Sequence, residues 1–429
     1  MVVRPQWLRR VADSPAGFRA ELTDNLDSNN VSPMPVIFFI NKLAGGQKGE
    51  EIYRKLVRLV NPRQVFLLEN DTTIIQALNI YSTLVNIHIC ICGGDGTVAW
   101  ILSHLIDTFP SFKNPPVSIC PLGTGNDLSR VLGWGYECDS KRLLRTLTQI
   151  PHAQPLVLDC WQIKFETLEM TPTESNHEHL VARLRRRFFF DDPKFVRNTN
   201  RLKYENHVKP INMYFFSHIS FGLDAAIALD FHVRRTRNPS KFTSRFRNKI
   251  FYLNESRKYF KEFFFSPTWD LNLYMRLICD GQDVTDLIRS CHVLLLLNSP
   301  GYASGTKPWG ETLTDRNNTS STVQRDDNSL NETSTSSNIM VDSSTNTHRF
   351  DRQDYSDRKI EVVGLSTKQM TLIHLGFKGH RIAQCSQVRL ELSRPIPMQM
   401  DGEPFYLVEP TIVNIMHTDQ VSVLRNENR

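Results

Sequence analysis

The stretch Cys92-Gly93-Gly94-Asp95-Gly96-Thr97 constrains this chain more than any other. The apolar run before it, Ile87-His88-Ile89-Cys90-Ile91, reads as a buried strand, and Val98-Ala99-Trp100-Ile101-Leu102 reads as the opening of a helix. Strand, glycine turn and helix N-terminus together make an anion site. Glycine lets the backbone come close to a phosphate, and the N–H groups of the first helical turn point at it. Asp95 is the odd member. A carboxylate beside phosphates repels them unless a cation bridges the two or the carboxylate takes part in the chemistry. Asp95 is therefore either a Mg²⁺-linked ligand or a general base. Taken alone, the stretch also fits a plain strand-to-helix turn with Asp as its cap.

A second stretch repeats the pattern. Val117-Ser118-Ile119-Cys120 is a short strand that runs into Pro121-Leu122-Gly123-Thr124-Gly125-Asn126-Asp127-Leu128, with Asn126 or Asp127 as the helix N-cap. Thr124 and Asn126 can hydrogen-bond phosphate oxygens or a sugar. Two such loops about thirty residues apart fit neighbouring strands of one parallel sheet, at the carboxyl edge where open α/β sheets bind ligands. A third strand, Val36-Ile37-Phe38-Phe39-Ile40, ends in the glycine-bearing loop from Asn41 to Gly49. Between the loops, 50–60, 72–84 and 141–149 read as helices, and 64–68 and 156–165 as strands. That alternation argues for a mostly parallel, doubly wound sheet.

Gly93-Gly94-Asp95-Gly96-Thr97 and Pro121-Leu122-Gly123-Thr124-Gly125-Asn126-Asp127 together resemble the diacylglycerol kinases. Further matches are Leu223-Asp224-Ala225, the 241–249 segment, Ala303-Ser304-Gly305-Thr306-Lys307-Pro308-Trp309-Gly310, and Met398-Gln399-Met400-Asp401-Gly402-Glu403-Pro404, which resemble the accessory domain of the eukaryotic members. Asn61-Pro62-Arg63-Gln64-Val65-Phe66 and Ile278-Cys279-Asp280-Gly281 are most similar to the zeta and iota types. The resemblance covers roughly 36–310 and 357–425. Its C1, EF-hand and ankyrin modules have no counterpart here, so the chain reads as a catalytic core, a short isoform or a fragment. The first loop departs from the family's Asn-Pro-x-Ser-Gly-Gly: Leu43 and Ala44 interrupt it, while Asn41, Gly45 and Gly46 match.

The resemblance implies ATP and Mg²⁺ as cofactors and diacylglycerol as acceptor. It places nucleotide contacts at Asn41, Gly45, Gly46, Gly93, Gly94, Gly96, Thr97, Gly123, Thr124, Gly125, Asn126 and Asp127. It makes Asp95, Asp401 and Glu403 the catalytic candidates, and Asp95 and Asp357 the metal candidates. Without it, Asp401-Gly402 reads as a hairpin turn. In the family an Asp-Asp-Gly stands where this chain has Ser356-Asp357-Arg358, and 212–225 is a few residues longer than the family's segment.

The rest of the chain sets the domain plan. Residues 1–33 read as a flexible leader, 34–165 as the nucleotide-binding catalytic domain, 166–207 as a linker, and 208–425 as an accessory domain. Short strands from Leu271 onward (Leu271–Cys279, Cys291–Leu297, Lys359–Val363, Val388–Leu392, Met398–Met400, Thr411–Met416) make that second domain an antiparallel β-sandwich. Residues 311–356, rich in Ser, Thr, Asn and Asp, read as a disordered insertion. The fold class is thus α/β plus mainly β, a Rossmann-like nucleotide domain followed by the sandwich. No run of eighteen apolar residues occurs. The eight cysteines include no C-x-x-C pair, which fits a reduced, cytoplasmic setting. The net charge of +6 permits peripheral attraction to an anionic membrane surface without requiring nucleic acid. The run Arg183–Phe190, with Arg185, Arg186 and Arg187 before three phenylalanines, reads either as a membrane contact or as a solvated basic face. The expected reaction is ATP-dependent phosphorylation of diacylglycerol to phosphatidic acid. A sphingosine or ceramide kinase, and an inactive lipid-binding scaffold, are the alternatives.

Overall fold

The computed structural model describes residues 8–14, 17–22, 34–84, 86–109, 114–168, 213–238, 270–310 and 350–427. The leader departs from expectation at its start: β1 (Leu8–Ser14) and β2 (Gly17–Leu22) pair antiparallel, with Ser14 opposite Gly17. The leader is polar on average, and the average hides the alternation Phe18, Ala20, Leu22, which suits a strand. The basic-aromatic run 183–190, the 239–249 segment and the bulk of the 166–207 linker lie outside the described residues.

From Val36 the chain alternates. The elements are β3 (Val36–Ile40), α1 (Ala44–Leu59), β4 (Val65–Leu67), α2 (Asp71–Tyr81), β5 (His88–Gly93), α3 (Asp95–Thr108), β6 (Val117–Pro121), α4 (Asp127–Val131) and α5 (Ser140–Gln149). The strands are parallel in the order β4-β3-β5-β6. β3 and β6 are buried along their whole length, the mark of strands covered on both faces. Ile52 and Leu56 of α1, Ile74 and Leu78 of α2, and Ile101 and Leu105 of α3 pack into the same core. Side chains start two of the helices: Asn70 accepts from the Thr73 N–H, and Asp139 from the N–H groups of Lys141 and Arg142. The strand order reverses between β3 and β5. This is the switch point at whose carboxyl edge open α/β sheets leave a crevice.

The second half does not start a separate sheet. β7 (Gln154–Thr167) pairs antiparallel with the last strand, whose span is Thr411–Arg425, and that strand also pairs in parallel with β6 at Val423–Val117. The other strands are β8 (Tyr214–Phe215), β9 (His218–Gly222), β10 (Met275–Cys279), β11 (Gln282–Asp283), β12 (Val293–Leu297), β13 (Ile360–Leu365), β14 (His380–Cys385), β15 (Gln387–Leu392), β16 (Ile396–Met400), β17 (Glu403–Leu407) and β18 (Thr411–Arg425). Two helices join them, α6 (Leu223–Arg237) and α7 (Thr367–Leu372). One sheet runs β11-β10-β15-β18-β6-β5-β3-β4, and a second, antiparallel one runs β14-β13-β12-β9-β16-β17. A single core holds Trp161, Leu277, Leu390 and Val413 from the first and Phe221, Leu296, Val362 and Met398 from the second. All eight cysteines are buried free thiols.

The expected disorder of 311–356 does not reach its end. Residues 350–356 are described: the Phe350 ring meets Trp309 at 5.0 Å, and the Tyr355 carbonyl accepts from the Asp159 N–H. Phe350 and Tyr355 are the only Phe, Tyr or Trp residues of 311–356, and both find apolar neighbours. Residues 311–349 lie outside the described set.

Candidate active site

The three glycine loops meet at the switch-point edge. Asn41 N–H donates to the Cys92 carbonyl, and the N–H groups of Leu122 and Gly123 donate to that of Gly93 at 2.8 and 3.3 Å. Asn41 Nδ2 donates to Thr97 Oγ1 at 2.9 Å, tying the first loop to the second helix start. Gly45 sits at φ +63°, where a Cβ would also collide with the Leu122 carbonyl oxygen. A Cβ on Gly94 would lie 2.9 Å from Gly123 Cα, so both loops need bare backbone here. Asn126 is the N-cap of α4, but in the left-handed region and without a capping bond. Its Nδ2 instead donates to the carbonyls of Gly123 and Tyr136, and its Oδ1 is buried without a partner. Thr124 and Gly125 are half-exposed, and Gly46 lies in the first turn of α1.

Carboxylates gather on this edge from both halves. Asp95 Oδ1 accepts from the Leu128 N–H at 3.2 Å. Asp127 accepts from the N–H groups of Ser304 and Gly305 at 3.2 and 2.6 Å. The Oδ2 atoms of the pair converge: a Cβ on Gly125 would lie 3.0 Å from Asp127 Oδ2 and 3.2 Å from Asp95 Oδ2. Burial pushes the Asp95 carboxyl up. Burial, and then the Asp95 charge, push Asp127 up to about 7. Glu403, at the start of β17, reaches α3 from the second half: a Cβ on Gly96 would meet its Oε1 at 2.6 Å. Its Oε2 lies 3.8 Å from His232 Nδ1 of α6, and burial raises its carboxyl against the pull of Arg235.

Residues 35–158 match the diacylglycerol kinase catalytic domain, and residues 214–404 match the diacylglycerol kinase accessory domain. The chain belongs to the diacylglycerol kinase family. Diacylglycerol kinase iota of Homo sapiens is 32% identical over 397 residues, which cover 92% of this chain and 31% of that protein. Diacylglycerol kinase zeta of Homo sapiens is 32% identical over 397 residues, 92% of this chain and 36% of that protein. This family member therefore spans about a third of the length of those relatives. Among solved structures, a putative diacylglycerol kinase from Bacillus anthracis str. Sterne is similar with a TM-score of 0.47 and 11% identity, covering 92% of this chain and 99% of that one. That likeness is too distant to carry weight.

Two of this kinase-family chain's sequence candidates take unexpected places. Asp401 is buried, and its oxygens are committed: Oδ1 accepts from the N–H groups of Ser217 and His218, and Oδ2 from that of Phe216, at 2.8 to 3.0 Å. Burial pushes it up to about 7 while these three donors pull the other way. Asp401 thus pins the bend between β8 and β9. After β9, Gly222 caps α6 and Asp224 lies in its first turn. Asp357 is not brought to the loops. Its Oδ1 accepts from the Lys359 N–H, while the neighbouring Arg358 N–H donates to Asp159. Among the described residues no group of three or more His, Cys, Asp or Glu side chains is disposed to hold a metal ion.

Sequence reasoning missed the supports. Asp224, fully buried, accepts from the Tyr302 hydroxyl at 2.8 Å and from Gln399 Nε2 at 3.0 Å. Tyr302 opens the loop in which Ala303, Ser304 and Gly305 all have positive φ, and that turn aims two N–H groups at Asp127. Arg130 packs under Gly305, donates from Nε to the Gly125 carbonyl and lies 5.3 Å over the Tyr136 ring. The Ser304-Gly305 pair was the only local signal, since the partners stand far apart in the chain.

Proposed function

We propose that this chain transfers the γ-phosphoryl group of ATP to the free hydroxyl of 1,2-diacylglycerol, giving phosphatidic acid. The convergence of three glycine loops at the switch point, with Asp95 and Glu403 beside the N-terminus of α3, carries this reading. In it, residues 34–165 hold the nucleotide and 208–425, as a β-sandwich, carry the acceptor side. The backbone around Gly45, Gly46, Gly93, Gly94, Gly96, Gly123 and Gly125 accommodates the phosphates. Thr97 and Thr124 supply hydroxyl contacts, Asn126 offers only its Oδ1 acceptor because its amide hydrogens are engaged, and Asn41 holds Thr97 in place.

The donor set fits a divalent cation. Asp127 is buried and Asp95 half-buried, the two are close and mutually repelling, and a cation shared with the phosphates would relieve that repulsion. When bound, Mg²⁺ supplies charge neutralisation for phosphoryl transfer, which asks little covalent chemistry of the protein. Asp95 and Asp127 would hold it together with the phosphates. Asp95 is also the first candidate for taking the hydroxyl proton, a role that belongs to it where Asp127 and the phosphates hold the cation, since a carboxylate bound to a divalent cation loses its raised proton affinity. Glu403 faces the same helix start and orients the acceptor. Asp401 acts as a positioning residue, since its oxygens already serve three backbone donors.

The acceptor lives in a bilayer, so the chain works at a cytoplasmic membrane face as a peripheral protein. Among the described residues no helix is long and apolar enough to cross a membrane. The test is transfer of the ATP γ-phosphate to dioleoylglycerol in mixed micelles with Mg²⁺, wild type beside Asp95→Asn, with sphingosine and ceramide as parallel acceptors. The expected result is phosphatidic acid from the wild type, reduced at least a hundredfold in the variant on the scale of losing general base or charge catalysis. Product on sphingosine or ceramide alone would replace the acceptor. A folded wild type that transfers to none of the three would overturn the reading.

A further inference from the structure

We propose that the turn at 373–378, between α7 and β14, docks this chain onto an anionic lipid bilayer. A 3₁₀ turn, Ile373–Leu375, ends at Gly376, whose φ of +88° turns the chain outward, with nothing within 4 Å of where a Cβ would stand. Residues 374–378 are all exposed. Leu375 keeps 75% of its surface in solvent and Phe377 52%. The other large apolar side chains left exposed among the described residues stand singly along the chain, whereas these two flank one glycine. Ile373 between them and the core is buried, so the tip is anchored rather than loose.

Charge selects the occupant. No Asp or Glu occurs in the sequence between Glu361 and Glu391, and Lys378 stands next to Phe377 at the tip. Lys307, across an open groove of about 410 Å³, adds a further cation. Two protruding apolar side chains with Lys378 and Lys307 beside them suit an anionic headgroup layer: the ring and the aliphatic group enter the acyl boundary and the two cations meet phosphates. The apolar area is too small for the roughly 800 Å² per partner of a stable protein interface. Position gives the docking a purpose. Ser304 and Gly305 line the same groove and also hold Asp127, so a bilayer at the tip adjoins the second glycine loop. For that purpose the inference rests on the proposed lipid acceptor.

The experiment is co-sedimentation of the full chain with phosphatidylcholine vesicles, with and without phosphatidylserine. It compares wild type, Leu375→Ser/Phe377→Ser, Lys307→Gln/Lys378→Gln, and Leu144→Ser as an exposed control on α5. Burying a large apolar side chain is worth about tenfold in partition. The serine pair should therefore bind anionic vesicles about tenfold or more weakly at unchanged thermal stability, the glutamine pair should lose only the phosphatidylserine dependence, and the control should match wild type. Phosphorylation of a short-chain, water-dispersed diacylglycerol should stay at wild-type rate in the serine pair, while that of vesicle-embedded diacylglycerol falls by the same factor as binding. Wild-type-like binding by the serine pair, or no vesicle binding by wild type, would overturn the inference. A wild type that binds vesicles through the tip yet phosphorylates neither form would instead overturn the proposed function.

Discussion

Replacing Asp127 with Asn should change how folding stability depends on pH more than it changes stability at any one pH. In the fold Asp127 is 4% exposed, and burial together with the Asp95 charge raises its carboxyl from 3.8 to about 7. A raised folded value means stability that is fully present below the unfolded value and is lost as pH rises through about 7. At 1.36 kcal/mol per unit, the wild type loses about 2–3 kcal/mol from this group between about pH 5 and pH 8. The Asn variant carries no such loss. It carries instead a pH-independent cost of about 1–3 kcal/mol, because its amide must face one of the two N–H donors, Ser304 or Gly305. Urea unfolding of nucleotide-free protein at several pH values measures both quantities. The variant-minus-wild-type stability should climb by about 2–3 kcal/mol from pH 5 to pH 8. Two parallel curves would refute the reasoning, since the carboxyl would then titrate alike in the folded and unfolded chain. The same logic makes MgATP stabilise the wild type more at pH 8 than at pH 5, with that difference absent in the variant.

Asp401→Ala strands three buried N–H groups and should cost about 3–5 kcal/mol by chemical denaturation, against about 1–2 for Asp401→Asn, which keeps an acceptor. Gly94→Ala puts a methyl group 2.9 Å from Gly123 Cα, backbone against backbone; calorimetry should show ATP binding weakened about tenfold or more with the fold kept. Trp161→Phe removes the indole N–H that holds Asn298 Oδ1 at 2.9 Å. It should cost about 1–2 kcal/mol in unfolding assays, because Asn298 also donates to the carbonyls of Asp159 and Phe216.

What could be read in advance was local. β3, β5 and β6 announced themselves as short, mainly apolar runs that lead into glycine-bearing loops, because parallel strands covered on both faces have no polar side. Asp401-Gly402 looked like a hairpin turn and is one, but nothing local says that its carboxylate reaches back to the backbone at 216–218. The second half of β18 was passed over because Met416-His417-Thr418-Asp419-Gln420 is polar. A register shift between His417 and Asp419 interrupts the ladder there, and His417 and Gln420 reach the buried Asp159. α6 was not announced, since Leu223-Asp224-Ala225 read as a motif rather than as the start of a helix.

The site is completed reciprocally, and the sheet explains why. Asp127 belongs to the α/β half, yet its hydrogen-bond donors come from residues 304 and 305 of the other half. Glu403 belongs to the β-rich half, yet it lies on the helix start at Gly96. Neither half presents its carboxylate in this setting alone. Two lobes joined only by a covalent linker would have to find this arrangement by docking, and interfaces of that kind move by default. Here β18 crosses between them, paired with β7 along its length and in parallel with β6. β17, which carries Glu403, lies in the second sheet, and that sheet packs on the first through a shared core. The relative placement of Asp95, Asp127 and Glu403 is therefore held by the main-chain pairing of β18 and by that core. An arrangement that must hold reacting groups to within a fraction of an ångström gains from such a frame, because orientation is most of what phosphoryl transfer asks of a protein.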